Sequence, residues 1–61
     1  MRKISNGLYE HTENNLKFKC EKGDDIYNIK VWDQQFNRYV KCGTGTSLES
    51  CKRMIKRYVQ M

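Results

Sequence analysis

Three stretches of this chain carry apolar residues at every second position, and that period constrains the fold more than any other feature. They are LKFKCE (16–21), IYNIKVW (26–32) and RYVKC (38–42). A period of two puts successive side chains on opposite faces, so each stretch reads as a half-buried strand. KGDD (22–25) and QQFN (34–37) separate them and suit four-residue hairpin loops. With Glu21 opposite Ile26, the first loop pairs Cys20 with Tyr27, Phe18 with Ile29 and Leu16 with Val31. With Asp33 opposite Arg38, the second closes on opposite charges and pairs Val31 with Val40 and Ile29 with Cys42. Both hairpins then share one apolar face. A one-residue slip would turn each apolar set to the wrong side.

A helix follows. Thr46 with Glu49 three residues later, just before an apolar run, has the pattern of a capping box, so a helix is expected over Ser47 to Gln60. Leu48, Cys51, Ile55, Tyr58 and Val59 recur at three- and four-residue spacing and form the stripe that covers the apolar sheet face. The expected class is α+β: a three-stranded antiparallel sheet with one C-terminal helix packed on one face. The sheet has four strands if LYEHT (8–12) adds an edge strand turning at Asn14 and Asn15, which sets Glu10 opposite Lys19. Met1 to Asn6 reads as a frayed basic tail on a single domain, 1–61.

A chain of 61 residues holds one small core, only a few kcal/mol ahead of its unfolded state, and leaves little room for a multi-step active site. Twelve Lys and Arg against seven Asp and Glu give a net charge of +5, which favours polyanions or acidic surfaces as partners. No apolar stretch approaches the roughly 20 residues of a membrane-spanning helix, and Met1 to Gly7 lacks the apolar segment of a signal peptide, so the cytoplasm is the expected location. Cys20, Cys42 and Cys51 cannot all pair with one another and are expected to be reduced. The absence of Pro and Ala, with abundant Lys and Asn, suits a low-GC coding sequence such as many phages and mobile elements carry.

The same register predicts what the uncovered face presents. Lys17, Lys30 and Lys41 fall in one row, Trp32 and Tyr39 stand opposite each other beside it, and Lys19 and Asn28 continue the face on the other side. Like charges facing one another across strands cost stability unless solvent or an anionic partner screens them. Lysines interleaved with stacking rings are one way of gripping nucleic acid. The plainer reading is that exposed lysines deter edge aggregation and that the Trp–Tyr pair stabilises a small sheet. On the helix, Lys52, Arg53, Lys56 and Arg57 span an arc of about 140° opposite the apolar stripe. These four can serve as secondary phosphate contacts, with Lys22, Arg2 and Lys3, or simply solubilise the helix and complement its dipole. The two basic surfaces point in opposite directions, and the sheet face is taken as the primary one.

Other chemistry finds little support. GTGTS (43–47) leads into a helix N-terminus, where free amides can hold an anion, but it lacks the lysine and spacing of a P-loop and reads as a tight connection. Three thiols and His11 could nominally ligand zinc, yet the cysteines take core-facing positions at unsuitable spacing. A cysteine nucleophile would need a base, and His11 is the only histidine. Asp24, Asp25 and Asp33 lie in or beside hairpin loops, where Asp forms turns. No catalytic residue, metal or cofactor is expected.

The order of three antiparallel strands and a capped helix, the hairpin from Trp32 to Tyr39 and the helix start TSLESCKRMI together resemble a known group. It is that of the small arm-type DNA-binding domains of tyrosine recombinases and the related AP2-like domains. The resemblance runs from about Leu16 to Val59. It implies a sheet face that enters the major groove, with Lys17, Lys30, Trp32, Tyr39 and Lys41 as contact residues. The face here carries Lys in place of base-reading Arg, which points to phosphate-dominated binding. Two functions are therefore expected of this surface. The first is a non-enzymatic nucleic-acid-binding accessory module of a phage or mobile element, with duplex DNA the favoured ligand. The alternative is a small inhibitor or adaptor that holds an acidic protein on an anchor patch of Trp32, Tyr39, Ile26 and Phe36.

Overall fold

In the computed structural model, which describes residues 1–60, the chain is a five-stranded antiparallel meander followed by one helix. The elements are β1 (Arg2–Ser5), β2 (Leu8–Glu13), β3 (Leu16–Lys22), β4 (Tyr27–Asp33), β5 (Arg38–Gly45) and α1 (Leu48–Gln60). The α+β class is as expected, but the sheet has five strands rather than three or four. The segment expected to fray supplies the fifth: Arg2 pairs with Glu10 and Lys3 with Tyr9, and a bulge at Ile4 brings Ser5 opposite Leu8. The sequence of β1 has no alternation to announce it, and what holds it is the open edge that β2 offers.

Each hairpin has a local cause. Gly7 takes φ +77° in the β1–β2 turn, and Asn14 and Asn15 take φ 54° and 64° between Glu13 and Leu16. Two central residues at positive φ make the tight turn that matches strand twist, and Asn tolerates that region better than most residues. This turn lies where the sequence places it, with Glu10 opposite Lys19. The loop 34–37 also follows expectation: Asp33 faces Arg38, the Gln35 N–H donates to Asp33 Oδ1 at 2.9 Å, and Asn37 closes the loop at φ 52°.

Two registers differ from the expected ones. Across β3 and β4, Phe18 faces Val31 and Cys20 faces Ile29, a shift of two residues from the expected Phe18–Ile29 and Cys20–Tyr27 pairs. Lys22 is part of the ladder opposite Tyr27, and the Gly23 N–H donates to the Ile26 carbonyl at 2.6 Å, so the loop is Gly23 to Ile26 instead of KGDD. An even shift keeps every side chain on its face, so the core survives the change. Between β4 and β5 the register holds from Asp33–Arg38 to Lys30–Lys41 and then breaks. A bulge at Cys42 leaves Ile29 opposite Gly43 rather than Cys42.

That bulge lets β5 run on through Gly43 and Gly45 beneath the helix. A Cβ on Gly45 would lie 2.8 Å from Cys51 Sγ and 3.0 Å from the Cys51 backbone nitrogen. The missing side chain is therefore what allows α1 to sit so close to the sheet. The helix cap falls one residue later than the expected Thr46–Glu49 box: the Ser50 N–H donates to Ser47 Oγ at 3.2 Å, making Ser47 the cap. Glu49 remains in the first turn, where its charge complements the helix dipole.

Phe18, Cys20, Ile29 and Val31 from the sheet are buried with Cys51 and Ile55 from the helix. Burial stabilises by roughly 1.5–3 kcal/mol for each large side chain. Leu48 and Val59 lie partly buried on the same stripe, while Tyr58, expected inside, is 38% exposed with its ring edge-on to Phe18 at 5.8 Å.

At one end the sheet forks. The β3–β4 ladder stops at Phe18–Val31, yet β3 continues to Leu16, paired with Glu13 of β2, and β4 continues to Asp33, paired with Arg38 of β5. Two-stranded ribbons twist more strongly than wide sheets, so the two hairpin ends diverge once they are no longer bonded to each other.

Candidate functional site

The face away from α1 carries a charged row that crosses every strand: Arg2, Glu10, Lys19, Lys30 and Lys41 are successive cross-strand partners. Lys19 rather than Lys17 shares the row with Lys30 and Lys41. The two-residue register shift makes the exchange and moves Lys17 one row over, opposite Thr12. Trp32 and Tyr39 face each other as expected, with ring centroids 5.0 Å apart at an interplanar angle of 67°.

These side chains are not equally free. The Lys19 Nζ lies 4.4 Å from the Tyr39 ring centroid. The Lys30 Nζ donates to Glu21 Oε1 at 3.1 Å. Lys17 and Lys41 are exposed, and neither is among the ion pairs of the described residues. A half-exposed pair such as Lys30–Glu21 contributes at most about 1 kcal/mol, so an incoming phosphate can compete for Lys30. Glu10, opposite Lys19, and Glu21, bonded to Lys30, bring negative charge to this face. The alternation that places the lysines places them too, since both share the outward phase.

Lys52, Arg53, Lys56 and Arg57 are exposed on the helix, on the other side of the molecule from the lysine row. The Arg53 Nη2 donates to Ser50 Oγ at 3.3 Å. The structure does not bring the two basic surfaces together. It also separates the four anchor residues, because Ile26 precedes β4 and Phe36 follows it, at opposite ends of that strand. Phe36 is 62% exposed and lies 5.6 Å from the Arg38 guanidinium.

The fork makes an open cleft of about 500 Å³. It is lined by Leu16 and Lys17 on the β3 side, Trp32 and Asp33 on the β4 side, and Val31, Val40 and Tyr58, so that residues of both sheet faces meet at it. Asn15, Gln34 and Gln35 stand at its rim. Among these, only Lys17 and Trp32 are legible as site residues in the sequence. The cleft exists because of where a ladder ends, which no periodicity reports.

Around the thiols, burial pushes Cys20 up to about 12, with Cys51 beside it adding to the effect, and burial also raises Cys42 and Cys51. All three are free and protonated at neutral pH, which makes them poor nucleophiles. No group of three or more His, Cys, Asp or Glu is placed to hold a metal among the described residues. His11 instead pairs with Glu13, Nε2 to Oε1 at 3.0 Å. Most of GTGTS is strand, and at the helix start the hydroxyls of Thr46, Ser47 and Ser50 bond to one another. No helix among the described residues is long and apolar enough to cross a membrane. Comparison of the chain with protein-family models, curated proteins and solved structures returns no match.

Proposed function

We propose that this chain is a nucleic-acid-binding module without catalytic activity of its own, an accessory protein of a phage or mobile element that acts in the cytoplasm. The observation that carries this reading is the row Lys19–Lys30–Lys41 beside the Trp32–Tyr39 pair on the face that the helix leaves open. At roughly 4.8 Å per strand the row's backbone positions span about 10 Å, and long lysine side chains extend that reach along a phosphate backbone. Lys17 adds a cation beside the rings, and the helix cations Lys52, Arg53, Lys56 and Arg57 provide a weaker second surface.

Binding through this face falls with salt. Three to four phosphate contacts correspond to a slope of log K against log salt of about −3 for duplex and somewhat less for single strands. Replacing Lys30→Glu and Lys41→Glu together should abolish binding while leaving the unfolding midpoint nearly unchanged. Binding insensitive to salt, or no binding to any nucleic acid at low salt, overturns the proposal.

A second reading, an inhibitor or adaptor that binds an acidic protein, draws on Glu10 and Glu21. Both carboxylates stand among the lysines and oppose phosphate there, whereas a protein surface can match mixed signs. In that case Trp32→Ala eliminates capture of the protein partner, and added nucleic acid does not compete.

A further inference from the structure

We infer that the forked end of the sheet is a binding site for one unpaired nucleotide, so that the nucleic acid held on the lysine face is single-stranded there. This rests on the nucleic-acid reading and gives it a ligand form. The cleft's size, about 500 Å³, is in the range of small-molecule sites. Its composition matches a base more closely than an aliphatic group. Val31, Val40 and Tyr58 supply apolar lining from the helix side, and Trp32, which also lines the cleft, carries its ring on the outer face, edge-on to Tyr39, where a base can stack on it.

The rim is made of amides. Asn15, Gln34 and Gln35 each carry both a donor and an acceptor, the groups that a base edge needs. The Gln35 backbone is anchored by its N–H donating to Asp33 Oδ1, and its side-chain amide makes no hydrogen bond among the described residues. Charge sets the direction in which a nucleotide enters. Lys17 on the β3 side attracts phosphate and Asp33 on the β4 side repels it, so the backbone passes along β3 towards Lys19 while the base edge turns to the loop 34–37. A paired duplex cannot use the cleft, because its bases are stacked within the helix and are not available to enter it.

The test uses the intact protein and labelled DNA and RNA strands of about ten nucleotides, in the range of single-strand site sizes. The same strands are used as duplexes and as abasic strands of equal charge. The chain has a single tryptophan, so quenching of its emission reports stacking on Trp32 directly. The expected result is quenching by base-bearing single strands only, with binding at least about tenfold tighter than to duplex or abasic strands at equal salt. Gln34→Ala with Gln35→Ala, both exposed positions that leave the fold intact, should remove most of that preference and leave abasic binding unchanged. Trp32→Phe should retain the preference and Trp32→Ala lose it, read by anisotropy of the labelled strand. Equal binding of all three forms without quenching overturns the cleft and leaves the lysine face standing. Absence of binding to every form at low salt overturns both.

Discussion

The Lys19 ammonium lies 4.4 Å from the centroid of the Tyr39 ring, although Lys19 is on β3 and Tyr39 on β5, with β4 between them. The contact runs diagonally out of the lysine row and ties the charged part of the outer face to its aromatic part. It also ranks the cations by freedom. Lys19 is held on a ring, Lys30 is held by Glu21, and Lys17 and Lys41 remain exposed to meet a partner first.

A double-mutant cycle on Lys19→Ala and Tyr39→Ala measures that tie. The expected coupling is about 0.5–1 kcal/mol, as for a cation over a ring at a partly exposed site. Tyr39→Ala alone should cost more than Lys19→Ala, because it also removes the edge-on contact with Trp32. Urea unfolding of the four proteins gives these numbers, and strictly additive effects would show that the ammonium sits over the ring without stabilising it.

Two glycines of β5 should respond very differently to a methyl group. At Gly45 a Cβ meets the Cys51 backbone nitrogen at 3.0 Å as well as its Sγ at 2.8 Å, and the backbone cannot step aside without moving the helix. Gly45→Ala should therefore destabilise by about 1–3 kcal/mol, the usual range for overpacking. At Gly43 the nearest atom is the Met54 Cε at 3.5 Å, an ordinary contact with the end of a flexible side chain. Gly43→Ala should be near neutral in thermal unfolding. Equal losses at the two sites would contradict the close helix–strand approach.

The buried thiols make stability sensitive to high pH. Cys20 has its folded value pushed up to about 12, above its ordinary value of 9.0 in the unfolded chain. Below pH 9 the thiol is protonated in both states and its contribution is fully present. Between pH 9 and 12 the unfolded chain loses the proton while the folded chain keeps it. Stability should therefore fall by about 1.4 kcal/mol per pH unit from this group. Urea midpoints at pH 8 and pH 10, with Cys20→Ala as the comparison, isolate the effect. A thiol reagent applied to the native protein at pH 8 should modify half-buried Cys42 first, since Cys20 and Cys51 are buried. Rapid labelling of Cys20 would show that the helix does not stay seated on β3.

The residues by themselves determined which side chains share a face. Leu16, Phe18 and Cys20 look towards the helix, Lys17 and Lys19 away from it, and Trp32 meets Tyr39 because Asp33 and Arg38 close a loop whose length is readable. The helix stripe follows the same logic at its own period. Tertiary structure alone decided which lysine stands in the row. Alternation of period two is blind to a shift of two residues, so Lys17 and Lys19 are equivalent to it, and the Gly23–Ile26 hydrogen bond chose between them. The same holds for β1, drawn into the sheet by an open edge, and for the bulge at Cys42, which carries Gly43 and Gly45 under the helix. The cleft between Lys17 and Trp32 belongs with these. It arises where two hairpins twist apart, and twist accumulates over a whole sheet rather than residing in any one strand.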